Sequence, residues 1–146
     1  MEELQYTIEI DAPRQKVWDF MLGKETYPQW TEVAWPGGVA EGDWKAGTEM
    51  RFGGEGGGTV AKILTADRPS TIRAEHTAVI NEDGSLDRES EMARSWIGSR
   101  EEYDFVEKNG KTELTVRLAV PAEWREEFDG GWPKALDSLK ELVEAS

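Results

Sequence analysis

The sequence contains no cysteine, and its single histidine is His76. Disulfides and thiolate metal ligands are therefore excluded, and a multi-histidine metal centre cannot be assembled within one chain. Neither a metal nor a cofactor is expected. Basic residues are also few: 17 Lys and Arg stand against 30 Asp and Glu, a formal net charge of −13 at pH 7. Nucleic-acid binders draw phosphate backbones with clustered Lys and Arg, and no such cluster occurs, so neither nucleic acid nor an anionic membrane surface is an expected partner. No run of about 18 apolar residues is present, which excludes membrane insertion by a helix. The N-terminal MEELQYTIEI lacks the basic start and apolar centre of a secretory signal. A cytoplasmic protein is the expectation.

What the chain does have is tryptophan: Trp18, Trp30, Trp35, Trp44, Trp96, Trp124 and Trp132 among 146 residues. Each brings a large apolar area and one N–H that needs a partner, so tryptophan suits cores and ligand-cavity walls alike. A chain of this length buries roughly two thirds of the surface its unfolded form exposes, enough for one core. With no repeat, low-complexity tail or linker, a single domain over 1–146 is expected.

Hydrophobic periodicity supplies the elements. Leu4, Tyr6, Ile8 and Ile10 alternate with polar residues, the period of a strand with one buried face. Asp11 and Pro13 are helix-start signals, and Val17, Trp18, Met21 and Leu22 then recur at helical spacing. ETYPQWTEV predicts a second short helix entered at Pro28, and WPGGVAEGDWKAG a loop. Thr48, Met50 and Phe52 open a strand that leads through glycines into TVAKILTA. STIRAEHTAVI places Ile72, Ala74, His76, Ala78 and Ile80 on one face. NEDGS reads as a turn, and RESEMARSWIG as a polar connection with room for one helical turn. EEYDFVE and KTELTVRLAV flank Asn109-Gly110, the preferred hairpin dipeptide, with Tyr103 and Phe105 on the side of Leu114, Val116 and Leu118. Phe128, Trp132, Leu136, Leu139 and Val143 form one stripe of a long C-terminal helix.

Three chemistries are excluded by local pattern. The stretch RFGGEGGGTVAKIL is not a phosphate loop, because no Lys-Ser or Lys-Thr pair follows the glycines and they feed a β-branched pair rather than a helix N-terminus. A hairpin turn is expected there instead. A calcium loop centred on Gly84 puts Val79 and Ser90 where carboxylates belong. Ser70, Ser85, Ser95 and Ser99 lack the strained Gly-x-Ser-x-Gly turn of a nucleophilic triad. Pairs drawn from 30 acidic residues carry no information.

Five stretches in order, IEIDAPRQKVWDFM, YPQWTEV, EGDWKAGTEMRF with its glycine hairpin, SWIGSREEYDF and GGWPKALDSLKELVE, resemble the START and birch-pollen-allergen superfamily (SRPBCC). Within it the chain is similar to the branch related to the C-terminal domain of the heat-shock-protein-90 ATPase activator, from about Leu4 to Val143. The resemblance implies an α+β helix-grip fold: a curved antiparallel sheet of six to seven strands around a long C-terminal helix, with two short helices after strand one. It also implies a cavity between sheet and helix. Members bind lipids, sterols or plant hormones, cyclise polyketides, or act as co-chaperones, so fold alone does not select a function. A true activator has a separate N-terminal domain that this chain lacks, which lowers the co-chaperone expectation.

The resulting expectation is a binding protein that holds a hydrophobic or amphipathic small molecule without transforming it. A polyketide-cyclase-like enzyme using the same cavity is the alternative, and a co-chaperone-like interaction domain with an unidentified protein partner the second. The expected cavity is on the order of 300 to 1,000 Å³. Met50, Phe52, His76, Tyr103, Phe105, Trp132 and Leu136 are the candidate ligand-binding residues, with Trp18 and Trp96 closing its ends or packing. No catalytic residue is assigned beyond His76, a weak candidate for general acid or base because it titrates near neutral pH. The bland alternative for His76 is a buried, hydrogen-bonded side chain.

Overall fold

A computed structural model describes residues 1–54 and 56–146. Strand β1 (Glu2–Ile10) leads into helices α1 (Arg14–Leu22) and α2 (Tyr27–Thr31). Strands β2 (Val39–Glu41), β3 (Glu49–Gly54), β4 (Gly57–Asp67), β5 (Thr71–Ile80) and β6 (Leu86–Asp87) follow, then helix α3 (Glu91–Trp96). The hairpin β7 (Arg100–Lys108) and β8 (Lys111–Val120) precedes a 3-10 turn (Ala122–Trp124) and helix α4 (Arg125–Glu144). The sheet is antiparallel throughout, in the order β1-β8-β7-β5-β4-β3-β2, with β6 paired to β5. This is the helix-grip α+β arrangement, with eight described strands where six to seven are expected. The extra ones are short: β2 lies inside the Gly- and Pro-rich segment expected to be loop, and β6 follows the NEDGS turn.

α4 packs against β1, α1 and α2. Its buried stripe of Trp132, Ala135, Leu136, Leu139 and Val143 joins one core with Phe105, Leu114, Val116 and Leu118 of the hairpin and with α1, whose Trp18 ring lies 5.2 Å from that of Phe105. Polar ties fix the helix on β1. The Tyr6 hydroxyl donates to Asp129 at 2.6 Å, and Lys140 Nζ donates to the Glu9 carbonyl at 2.8 Å. Asp11 does not cap α1, whose N-cap is Pro13 without a side-chain bond; its backbone N–H instead donates to Glu144 at 2.9 Å. The β7–β8 turn has Asn109 and Gly110 at φ of 55° and 79°, the left-handed pair such a two-residue turn requires.

Two irregularities in α4 shape what lies beneath it. Gly130, Gly131 and Pro133 sit within the helix, where both residue types are ordinarily unfavourable. Gly131 has a packing reason. A Cβ there would stand 3.0 Å from Cζ2 of Trp35, so the missing side chain lets the indole lie against the helix backbone.

Candidate functional site

The first half of α4 does not close fully onto the sheet. Between it and the β3–β5 and β7 region lies a cavity of about 200 Å³, roofed by α2 and walled largely by aromatic rings. Its walls include Tyr27, Phe52, His76, Trp96, Glu101 and Trp132. A second chamber of about 660 Å³ continues outward towards Val79, Met92 and Trp124. The two chambers share Trp35, Gly58, Thr59, Trp96 and Phe128. The inner space is smaller than the expected range because indole rings occupy part of the gap. The Trp30, Trp35 and Tyr103 rings stand 6.1, 5.3 and 6.1 Å from that of Trp132.

Local sequence delivers each wall. Alternation along β5 turns His76 inward with Ile72 and Ala74, all three buried. Ser90 caps α3, its hydroxyl accepting from the Ala93 N–H at 3.1 Å, and this short helix carries Trp96 to within 5.1 Å of the His76 ring. Gly98, at φ 92°, then turns the chain so that its N–H donates to the His76 carbonyl, while the His76 N–H donates to Ser99. On β3 and β4, Phe52 faces Thr59, and the next pair is Gly53 with Gly58. A Cβ on Gly58 would collide with the Phe52 carbonyl, and Gly53 has a φ of 146°. Gly58 lines both chambers, with Gly53 on the inner one and Gly56 and Gly57 on the outer one.

The polar groups converge around Glu101. Its Oε1 lies 3.7 Å from His76 Nε2, and its Oε2 accepts a hydrogen bond from the Tyr103 hydroxyl. The His76 side chain is 4% exposed and that of Glu101 19%. Burial, reinforced by the nearby Glu101 charge, holds the Tyr27 and Tyr103 hydroxyls far above the usual tyrosine range. Three of the lining residues also carry a buried nitrogen with no hydrogen-bond partner: His76 Nδ1, Trp96 Nε1 and Trp132 Nε1. Buried polar atoms are usually paired, as Trp30 Nε1 is, donating to the Met21 carbonyl at 3.1 Å. Among the described residues, no Lys or Arg lines either chamber.

Of the seven expected ligand residues, Phe52, His76 and Trp132 meet on the inner cavity. Tyr103 stands one layer behind, bonded to Glu101. Met50, Phe105 and Leu136 are packed in the core away from the lining. Met50 Sδ accepts from the Trp44 N–H at 3.4 Å, and Phe105 faces Trp18. Trp96 closes the cavity, whereas Trp18 packs. Sequence reasoning missed Glu101, Tyr27, Trp35, Thr59 and Phe128. For Glu101 a signal existed: in EEYDFVE, strand alternation puts it on the face of Tyr103 and Phe105. Among the described residues, no group of three or more His, Asp or Glu is arranged to hold a metal ion, and no helix is long and apolar enough to cross a membrane.

A curved sheet gripping a C-terminal helix, with a cavity between them, defines a helix-grip protein of the SRPBCC type. The chain belongs to the family described as activator of Hsp90 ATPase homolog 1-like protein, whose model matches residues 11–144. No curated protein matches the sequence. Among solved structures it is similar to the Aha1 dimer from Colwellia psychrerythraea, at 18% identity and a TM-score of 0.75 over 99% of this chain and 97% of that one. It is similar to protein Ms6760 from Mycobacterium smegmatis, at 19% identity and a TM-score of 0.71 over 98% and 88% of the two chains. A protein of the dynemicin biosynthetic locus, DynU16, is 14% identical with a TM-score of 0.73, matched over 99% of this chain and 48% of its own. At these identities the likeness is one of fold.

Proposed function

We propose that this protein, acting as a single domain, binds a small hydrophobic or amphipathic molecule in the cavity between sheet and α4. One observation carries the reading: the aromatic-walled cavity opens into a larger chamber, and three of its lining residues hold buried nitrogens without partners. Apolar walls with a few convergent polar groups are the usual composition of a small-molecule site. Gly56, Gly57 and Gly58 support this, since these lining residues bring no side chain into the outer chamber. So does the fold shared with a protein from a biosynthetic locus. The inner volume suits one or two fused rings, and a longer molecule would extend past Trp35, Trp96 and Phe128 into the outer chamber.

A second reading, an enzyme of the cyclase type, is favoured by the arrangement of His76 and Glu101. A carboxylate that closes from 3.7 Å to hydrogen-bond distance of one imidazole nitrogen would fix the proton there and leave the other to take a proton from a bound substrate. Catalysis would place His76 as general base and Glu101 as the residue that orients it.

Native mass spectrometry of freshly purified protein tests the binding reading. The expected result is a 1:1 small-molecule adduct that is lost from Thr59→Phe, a substitution that fills the junction between the chambers. A bare mass throughout, together with no uptake of added apolar molecules, would overturn it. Turnover lost in His76→Asn while adduct formation persists would favour the enzyme.

A further inference from the structure

Among the described residues, the carboxylates and amines that meet the two chambers all have the same sign: Glu101 lines the inner one, Glu82 and Glu127 the outer one, and neither Lys nor Arg lines either. Three cations on β5, β7 and β8 are paired with other carboxylates: Arg73 with Glu102, Arg100 with Glu75 and Arg117 with Asp104. A carboxylate or phosphate brought into this space would lose its water, gain no cation and face Glu101, so an anionic headgroup is selected against.

The remaining walls favour the opposite charge. The electron-rich faces of tryptophan attract cations, more strongly than those of Tyr or Phe, and the effect grows as water is excluded. Trp35, Trp96 and Trp132 converge on one cavity with Phe52 and Phe128 beside them. The His76 ring stands among them, 6.2 Å from that of Phe52 and 5.1 Å from that of Trp96, with its Nε2 3.7 Å from the Glu101 carboxylate.

We propose that the preferred ligand of the cavity carries a protonated amine on an aromatic-sized apolar body, the amine held by Glu101 and the surrounding indole faces. This rests on reading the cavity as a ligand site. It assigns the headgroup that the reading leaves open.

Three probes of one shape test it: naphthylmethylamine, naphthalenemethanol and naphthoic acid, positively charged, neutral and negatively charged at pH 7, titrated calorimetrically at physiological salt. The amine is expected to bind roughly tenfold or more tighter than the alcohol, and the acid most weakly. Glu101→Gln keeps shape and an acceptor for Tyr103 while removing one charge of a protein at −13. It should cut the advantage of the amine at least about threefold and change the affinity of the alcohol less than about twofold. Trp96→Leu, which removes one aromatic face without touching a charge, should also weaken the amine more than the alcohol. An acid that binds as tightly as the amine overturns the headgroup assignment and leaves the cavity reading intact. An amine advantage undiminished in both Glu101→Gln and Trp96→Leu also overturns it, because attraction would then come from the acidic surface as a whole. Failure of all three probes to bind overturns the cavity reading and the assignment together.

Discussion

His76 Nε2 and Glu101 Oε1 face each other at 3.7 Å across β5 and β7, inside a wall that is otherwise mainly aromatic. The pairing follows from register. Ala74 opposes Glu101 in the ladder, so His76, two residues on, shares the inward face and meets Glu101 diagonally. Tyr103, two residues along β7 from Glu101, reaches its other oxygen. One carboxylate thereby joins the only imidazole to a buried phenol.

That sharing makes the three residues energetically dependent. Tyr103→Phe removes a donor from a largely buried carboxylate and should cost about 1 to 3 kcal/mol in chemical denaturation. In a cycle with Glu101→Gln, the double variant should lose at least about 0.5 kcal/mol less than the sum of the single ones. Additive losses would show that the hydroxyl and carboxylate act independently.

The grip of α4 on the sheet depends on its buried stripe. Leu136→Ala empties a site that is 2% exposed, and should cost about 2 to 5 kcal/mol with a reduced melting temperature. A loss under about 0.5 kcal/mol, typical of surface positions, would mean that α4 does not pack as described.

The glycine hairpin should discriminate among its own glycines. Gly58→Ala drives a Cβ into the Phe52 carbonyl, a backbone atom that cannot move aside, and should destabilise by more than about 1 kcal/mol. Gly56→Ala meets nothing within 4 Å and should stay within about 0.5 kcal/mol of the parent. Neither ATP nor NAD should raise the melting temperature, since the hairpin offers no helix N-terminus to a phosphate. Equal effects of the two substitutions, or a nucleotide-dependent shift, would contradict this.

Alkaline pH should unfold the protein through the buried Tyr103 phenol and the partly buried Tyr27 phenol. Tyr27 and Tyr103 are held protonated in the folded state, first by burial and then by the Glu101 charge, while in the unfolded chain they ionise near pH 10. The unfolded state therefore releases protons that the folded state retains. Stability is fully present below about pH 10 and falls above it, by up to about 1.4 kcal/mol per pH unit for each phenol. Phenolate absorbance of these two residues should appear together with the loss of near-ultraviolet circular dichroism. Ionisation of both near pH 10 in the folded protein would place them in solvent.

Much of the frame was legible because it rests on local rules. Asn109-Gly110 demands its turn, and the stripe from Trp132 to Val143 needs only helical spacing. β2 was not legible: three residues among glycines make a strand only because Phe52 on β3 lies opposite Ala40. The site was half legible for the same reason. Inward alternation turns Phe52 and His76 to the sheet's inner face, but it cannot separate a wall from a core, so Met50 and Phe105 share the pattern while lying in the core away from the cavity lining. Trp35 and Phe128 become walls through three-dimensional closure, one from the segment after α2 and the other from α4, their rings 6.4 Å apart. Glu101 was hidden by composition, one carboxylate among 30 acidic residues.

The central claim is that the gap between sheet and helix is a binding site, and titration of a neutral apolar fluorophore, N-phenylnaphthylamine, tests it most directly. The account predicts saturable 1:1 binding with quenching of tryptophan emission in the parent protein, lost in Thr59→Phe while that variant keeps its circular dichroism and cooperative unfolding. Equal affinity in the folded variant would place the fluorophore elsewhere and contradict the claim, as would no saturable binding to the parent.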